Sequence, residues 1–325
     1  MLRVLDPGIL TTVQDTGRWG HQAYGLPVSG AMDWFALRAA NQLVGNPPDE
    51  AALEIHSPVA VQTDAPHLIA LTGANAHFEI SGRTMPQWMS VFARAGATIE
   101  IAPKRTGGWI YLSVHGGIDV PRALGSKSTF LRGKFGGLEG RPLAAGDQIL
   151  IGAQTISDLV VAAGRGASEP VLAFARRAPE VRVVLGPHND LFSPEALAAL
   201  MQTEYVVTEN ADRMGYRLRG IPLLRPAHTM RRSETELVSC GVPLGAIQVL
   251  PDGQPIILMV DRQPTGGYPI IATAITSDIP LIAQCVAENR LRFKIVSVEE
   301  ARFVWVEACR LFAEKHPEDP HNPSQ

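Results

Sequence analysis

The chain repeats itself, and that repetition limits what it can fold into more than any single motif does. Arg18-Trp19-Gly20-His21-Gln22-Ala23-Tyr24-Gly25-Leu26-Pro27 returns as Arg213-Met214-Gly215-Tyr216-Arg217-Leu218-Arg219-Gly220-Ile221-Pro222, in the pattern R-x-G-x-x-x-x-G-aliphatic-P. Three weaker pairs follow in the same order: residues 54–57 with 236–239, Pro66 and 68–71 with Pro255 and 257–260, and 95–101 with 287–293. Four blocks in one order predict two related units. The stretch 162–180, rich in Ala, Gly and Arg, reads as the link between them.

Each unit reads as β-rich. Segments 68–71, 91–101, 109–114, 148–151, 181–185, 255–260 and 291–296 are short, aliphatic or β-branched, and bounded by Gly, Pro or Asp. With 30 Gly and 25 Pro in 325 residues, the chain turns often. The expected class is mainly β with a few helices, built as barrels or sandwiches. Helices are signalled by their caps. Asp33 can cap a helix over 34–44, an insertion in the first unit that stops at Gly45. Ser193-Pro194-Glu195 opens one to about Gln202. Ser277 or Asp278 can start another through Ala287, and Ser297 with Glu300 forms a capping box for the longest. The units are therefore placed at 1–165 and 180–296, the C-terminal helix at 297–316 and a disordered tail at 317–325.

Charge and motif content exclude several functions. With 29 Lys+Arg against 32 Asp+Glu, the net charge of −3 gives no concentrated basic surface for nucleic acid. No apolar run is long enough for a membrane helix, and the N-terminus lacks a signal-peptide core. Three cysteines without metal spacing fit a reducing, cytoplasmic setting. Gly125-Ser126-Lys127-Ser128 has the wrong spacing for a P-loop, and no H-E-x-x-H or paired-Cys motif suggests a metal. Ser29 lacks the glycine pattern of a nucleophile elbow, so His115-Gly116-Gly117 reads as a strand exit before it reads as an oxyanion loop. No Ala-Met-Lys-Met segment is present to carry covalent biotin.

Polar residues gather in glycine-flanked stretches: T-T-V-Q-D-T-G-R from Thr11, G-L-P-V-S-G-A-M-D from Gly25, L-G-S-K-S-T from Leu124, R-M-G-Y-R-L from Arg213 and D-R-Q-P-T-G-G-Y-P from Asp261. With these motifs in order from about Val4 to Val296, the chain resembles the biotin-dependent carboxyltransferase family, also called allophanate hydrolase subunit 2 or KipA-like proteins. The resemblance implies two cyclophilin-like β-barrel subdomains related by a pseudo-twofold axis, in agreement with the repeat. A free-standing chain of this size is most similar to the branch formed by the C-type subunits of 5-oxoprolinase. That branch implies opening of 5-oxo-L-proline to L-glutamate with ATP, by a complex with A-type and B-type partner subunits, the ATP site not wholly in this chain. Other branches imply carboxyl transfer from carboxybiotin on a separate carrier to urea or a related amide, or regulatory binding that antagonises a kinase inhibitor. The chain departs from the family at Ala287-Glu288-Asn289, where P-G-D is common, and at Phe135, where an aliphatic is usual. Self-association is left open.

The candidate site residues each have two readings. Arg18 and Arg213 can grip a carboxylate or phosphate with a rigid guanidinium, or can be buried in salt bridges to Asp15 or Glu54 and to Asp212 or Glu236; recurrence in both halves favours the structural reading. Gln14 and Asp15 can orient substrate or form a plain turn. Ser29 precedes a helix N-terminus that suits anions, with Asp33 as its cap. Asp261, Arg262, Gln263, Thr265, Gly266, Gly267 and Tyr268 follow a hydrophobic strand in a polar, glycine-bearing loop, which favours a site. His115, Arg132 and Arg217 complete the set of substrate-binding candidates.

Overall fold

The computed structural model describes residues 1–104, 108–178, 180–226 and 237–313. Glu236, the chain end from 314 with the expected tail, and the last turn of the expected C-terminal helix lie outside the described residues.

The first half comprises β1 (Leu2–Asp6), β2 (Thr11–Gln14), helix α1 (Trp34–Leu43), β3 (Ala52–Ile55), β4 (Val59–Thr63), β5 (His67–Gly73), β6 (Ala76–Ile80), β7 (Arg83–Thr84), β8 (Ser90–Ala93), β9 (Thr98–Pro103), β10 (Ile110–Val114) and β11 (Gln148–Ile149). Its strands form a six-stranded sheet, β11-β1-β4-β9-β6-β7, and a five-stranded sheet, β2-β3-β10-β5-β8. The two enclose one apolar core, to which Leu2, Val61, Phe78 and Ile99 come from one sheet and Leu53, Ile69, Leu71 and Leu112 from the other. A segment expected as one strand over 91–101 breaks into β8 and β9, because Gly96 turns between them at φ 74°. The hydrogen-bonded ladder ends at the two-residue strands β7 and β11, so this half is two facing sheets and not a continuous ring.

The five-stranded sheet is buried on both faces. Along β10, Ile110, Leu112 and Val114 enter the core between the sheets, while Ser113 Oγ on the opposite face donates to Asn41 of α1 at 2.8 Å. Alternation of side chains along a strand produces this division. Helix α1 starts and ends where its caps require: Asp33 accepts from Ala36 N at 2.8 Å, and Gly45 takes φ 74° just past its end.

A short helix, α2 (Leu159–Ala162), ends where the segment read as a link begins, and a second, α3 (Glu169–Ala175), lies within it. The second half follows with β12 (Glu180–Leu185), α4 (Pro194–Gln202), β13 (Tyr205–Ala211), β14 (Gly215–Arg219), β15 (Cys240–Gly241), β16 (Ala246–Val249), β17 (Pro255–Leu258), β18 (Thr265–Gly266), β19 (Ile270–Ala274), α5 (Ile279–Ala283), β20 (Arg290–Ile295) and α6 (Val298–Ala313). Seven strands close into a barrel, β12-β19-β16-β17-β14-β13-β20, the ring being sealed by parallel pairing of β12 with β20. Closure leaves no open edge. Helix α5 is shorter than the expected run to Ala287. The fold is thus mainly β with six α-helices among the described residues, none long and apolar enough to cross a membrane.

The repeat blocks map unevenly. The third and fourth pairs fall on strands in both halves, β5 with β17 and β9 with β20. The first pair does not: 213–222 holds β14, where Tyr216 and Leu218 point inward, whereas 18–27 is a loop with one 3-10 turn at Gln22–Tyr24. Residues 21–24 offer no apolar alternation to bury, and Tyr24 is exposed.

The halves share a core. Met32, Ala36, Leu37, Trp109 and Tyr111 of the first pack in one cluster with Val183, Tyr216, Ile257 and Phe293 of the second. Polar groups follow the same seam: Trp109 Nε1 donates to Tyr216 Oη at 3.0 Å, and that hydroxyl donates to Ala283 O at 3.0 Å. Burial pushes the Tyr216 hydroxyl well above its ordinary range, so it stays protonated as donor. Tyr216→Phe should therefore strand a buried N–H and a buried carbonyl, costing about 1–3 kcal/mol, read as a lower urea midpoint with unchanged slope.

Candidate functional site

Two glycine-bearing loops of the first half meet the barrel at the seam. They lie back to back, since a Cβ on Gly30 would stand 2.8 Å from Gly17 N, and Gly30 itself takes φ 86°. Ser29 also occupies the left-handed region at φ 55°, uncommon for a residue with a Cβ. Its N–H donates to Val260 O of the barrel at 3.1 Å.

At the centre of the seam stands Arg213. It holds Asp261 with two hydrogen bonds, Nε to Oδ2 at 2.8 Å and Nη2 to Oδ1 at 3.2 Å. It also pairs with Glu54 across the seam and donates to Gly30 O at 2.8 Å. Glu54 accepts in addition from Tyr111 Oη at 2.6 Å and Met32 N at 2.8 Å. Burial works against the charge on Arg213, but Asp261 and Glu54 more than restore it and hold it above the ordinary guanidinium range. Burial likewise raises Glu54, against the pull of Arg213. Arg213 is thus held in buried ion pairs to Asp261 and Glu54, and not to Asp212, which is turned away and accepts from Met214 N and Gly215 N.

Arg18 departs from its expected pairing. It forms no salt bridge to Asp15 or Glu54; it donates to Ser128 O and lies over the Phe135 ring, 4.8 Å from the centroid. Its Nε and Nη1 are buried without an acceptor among the described residues, as is Gln14 Oε1 as an acceptor without a donor. Burial lowers the pKa of Arg18, opposed by nearby Asp15 and Asp261. Asp15 is committed to the L-G-S-K-S-T loop, accepting from Ser126 Oγ at 2.7 Å and Lys127 N at 2.6 Å.

A cleft of about 1140 Å³ opens beside this network, walled by both halves and by α6; Ser29, Arg38, Trp34, Arg262, Arg302 and Trp305 line it. Of the sequence candidates, Ser29 and Arg262 line it; Arg213 holds Asp261 and the neighbouring Gly30 carbonyl, and Arg18, Asp15 and Gln14 bond the 126–129 loop. Asp33 lines a separate pocket of about 360 Å³ with Arg177 and Gln284, where it caps α1 and accepts from Gln284 Nε2 at 2.8 Å. Arg217, Gln263 and Tyr268 line a separate depression of about 490 Å³ on the barrel. Thr265 and Gly266 form β18, paired with β15, and Gly267 O accepts from Leu237 N. Arg132 is exposed on a turn. His115 is spent on backbone: Nδ1 bonds Val44 O at 2.7 Å, while Nε2 accepts from Thr155 N and Ile156 N, both at 3.0 Å. Burial lowers its pKa, in keeping with a neutral ring. Among the described residues no group of three His, Cys, Asp or Glu gathers to hold a metal ion.

The sequence reading missed Arg38, Trp305 and Arg302. Their signal was spacing: Trp34 with Arg38 and Arg302 with Trp305 share helix faces at i,i+4 and i,i+3.

Fold and site together define a two-lobed β protein with a cleft at the seam of its lobes. The chain belongs to the family described as carboxyltransferase domain, subdomain A and B, matched over residues 24–295. It is 37% identical over 302 residues to the C subunit of 5-oxoprolinase from Escherichia coli and 35% identical to that from Haemophilus influenzae, covering 93% of each chain in both comparisons. The solved Kluyveromyces lactis urea carboxylase superposes with a TM-score of 0.84 at 27% identity, over 96% of this chain and 29% of that one. TTHA0988 gives 0.77 at 30% identity, over 90% of this chain and about half, 55%, of that one.

Arg213→Met should leave two buried carboxylates without a counter-charge and cost about 3–5 kcal/mol; adding Asp261→Asn to it should recover part of the loss in the same denaturation assay. Burial raises the Asp33 carboxyl from 3.8 to about 6, so the folded chain retains a proton there that the unfolded chain has lost. Its contribution to stability is fully present below about pH 3.8 and disappears as pH rises through about 6, a change of roughly 3 kcal/mol. The stability difference between Asp33→Asn, which keeps a capping oxygen, and the parent chain should shift in favour of the variant by that order between pH 4 and 7.

Proposed function

We propose that this chain is the C subunit of an ATP-dependent 5-oxoprolinase, opening 5-oxo-L-proline to L-glutamate together with A-type and B-type subunits in the cytoplasm. The observation that carries this reading is the 35–37% identity to the C subunits of two 5-oxoprolinases over 93% of both chains. Three free cysteines accord with a reducing compartment.

The chemistry fits what the cleft offers. A lactam carbonyl is a poor electrophile; transfer of a phosphoryl group to its oxygen creates a leaving group, after which positioning and stabilisation of negative charge govern the rate. The cleft supplies guanidinium groups for such charge, whereas its described lining contains no carboxylate, histidine or thiol to act as base or nucleophile. Partner subunits would provide those groups, and the chain alone would be inactive.

A second reading, carboxyl transfer from carboxybiotin on a separate carrier to urea or a related amide, draws support from the TM-score of 0.84 to urea carboxylase. One assay separates the two. The three subunits together should release ADP and glutamate when given 5-oxoproline and ATP, with no turnover on omission of this chain. Absence of glutamate from the full assembly, with carboxylated urea formed on adding a biotin carrier, would replace the first reading by the second.

A further inference from the structure

We propose that the cleft between the two halves is a nucleotide site, which stacks a purine ring against its tryptophans and binds the polyphosphate through its arginines. The inference deepens the oxoprolinase reading and rests on it for taking the nucleotide to be ATP.

Size comes first. About 1140 Å³ exceeds the roughly 300–1,000 Å³ of pockets that enclose drug-sized ligands; a small lactam acid would leave most of it empty. Charge points the same way. Arg38, Arg262 and Arg302 face the cleft, and no Asp or Glu is found among its described lining residues. Arg262 is only 7% exposed, and its guanidinium is pinned by two carbonyls, Nε to Val242 O at 2.9 Å and Nη1 to Met259 O at 3.2 Å. It makes no ion pair among the described residues, and its burial lowers its pKa to about 10 with no carboxylate to oppose the shift. A buried cation held by carbonyls alone keeps an uncompensated charge, which an incoming anion would neutralise. Among the described residues, Arg38 Nε is buried without an acceptor, and Ser29 Oγ on the same wall is buried without a partner. Several separated guanidiniums match the spread charge of a polyphosphate better than one carboxylate.

The aromatic lining supplies the other half of the ligand. Trp34 and Trp305 meet edge to face, 5.0 Å between centroids at 66°, and Arg38 lies over Trp34 at 5.2 Å. Trp19 stands at the rim, 65% exposed, steadied by its Nε1 donating to Thr16 O at 3.2 Å. Three indoles and a cation beside them offer a sequence-neutral platform for a flat base. The chain does this without a P-loop, guanidiniums taking the place of a backbone cradle.

The test uses the full chain and N-methylanthraniloyl-ADP, read by energy transfer from tryptophan. Saturable binding is expected, weakened at least fivefold by Arg302→Gln and at least tenfold by Arg38→Gln with Arg302→Gln. Arg302 is exposed, so its variant keeps the fold. In the three-subunit assembly, Arg302→Gln should raise the KM for ATP by more than it raises the KM for 5-oxoproline. No saturable nucleotide binding by chain or assembly, binding indifferent to both variants, or tryptophan quenching by biotin in place of nucleotide would each overturn the proposal. Nucleotide binding without 5-oxoproline turnover would sustain the cleft assignment and remove the oxoprolinase reading; turnover with an unmoved KM for ATP would do the reverse.

Discussion

The structure hangs on one buried cation. Arg213 sits on the barrel, yet its guanidinium is shared between Asp261 of its own half and Glu54 and the Gly30 carbonyl of the other. Two carboxylates and one guanidinium cannot be withdrawn from water cheaply unless every remaining valence is met, and here Tyr111, Met32 N and the backbone meet those of Glu54. The hydrogen bonds converging on Arg213 set the position of the loop carrying Ser29, and through it one wall of the cleft. A salt bridge of this kind contributes less net stability than its geometry suggests; its effect is to permit only one register between the halves.

The legible part of the fold was the local part. Asp33 as cap, Gly45 as stop, and Ser193 with Pro194 at the head of α4 are interactions within a few residues, and each took the place its sequence signal implied. Strand segments were recognisable for the same reason. Partners distant in the chain were not. Asp212 is adjacent to Arg213 and was the natural guess, but it is consumed by its own turn, while Glu54 arrives from 159 residues away. The first repeat block shows the limit from another side: identical glycine and proline spacing supports a strand where Tyr216 and Leu218 alternate inward and a loop where residues 21–24 have nothing to bury.

The site was legible in outline only. The motifs led to Ser29 and Arg262, yet the aromatic and cationic lining from α1 and α6 carried no motif at all. Trp34 and Arg38 look, in sequence, like ordinary members of a helix. Their role depends on α6 crossing nearby, which no local pattern encodes. His115 illustrates the opposite error of a chemically capable group whose ring nitrogens are both occupied by main chain.

The strand that seals the barrel, β20, runs after two residues into α6, the helix that walls the cleft. Its parallel partner β12 lies more than a hundred residues earlier, so this pairing closes one of the longest loops in the second half. Long-range closures of this sort form late, because the entropy of the intervening chain must be given up first. The cleft consequently depends on a pairing that encloses nearly the whole second half: a species in which β20 has not met β12 has not fixed α6 as the cleft's wall. Ligand bound there would in turn draw on the cooperativity of the whole barrel, and so protect residues far from the cleft against opening.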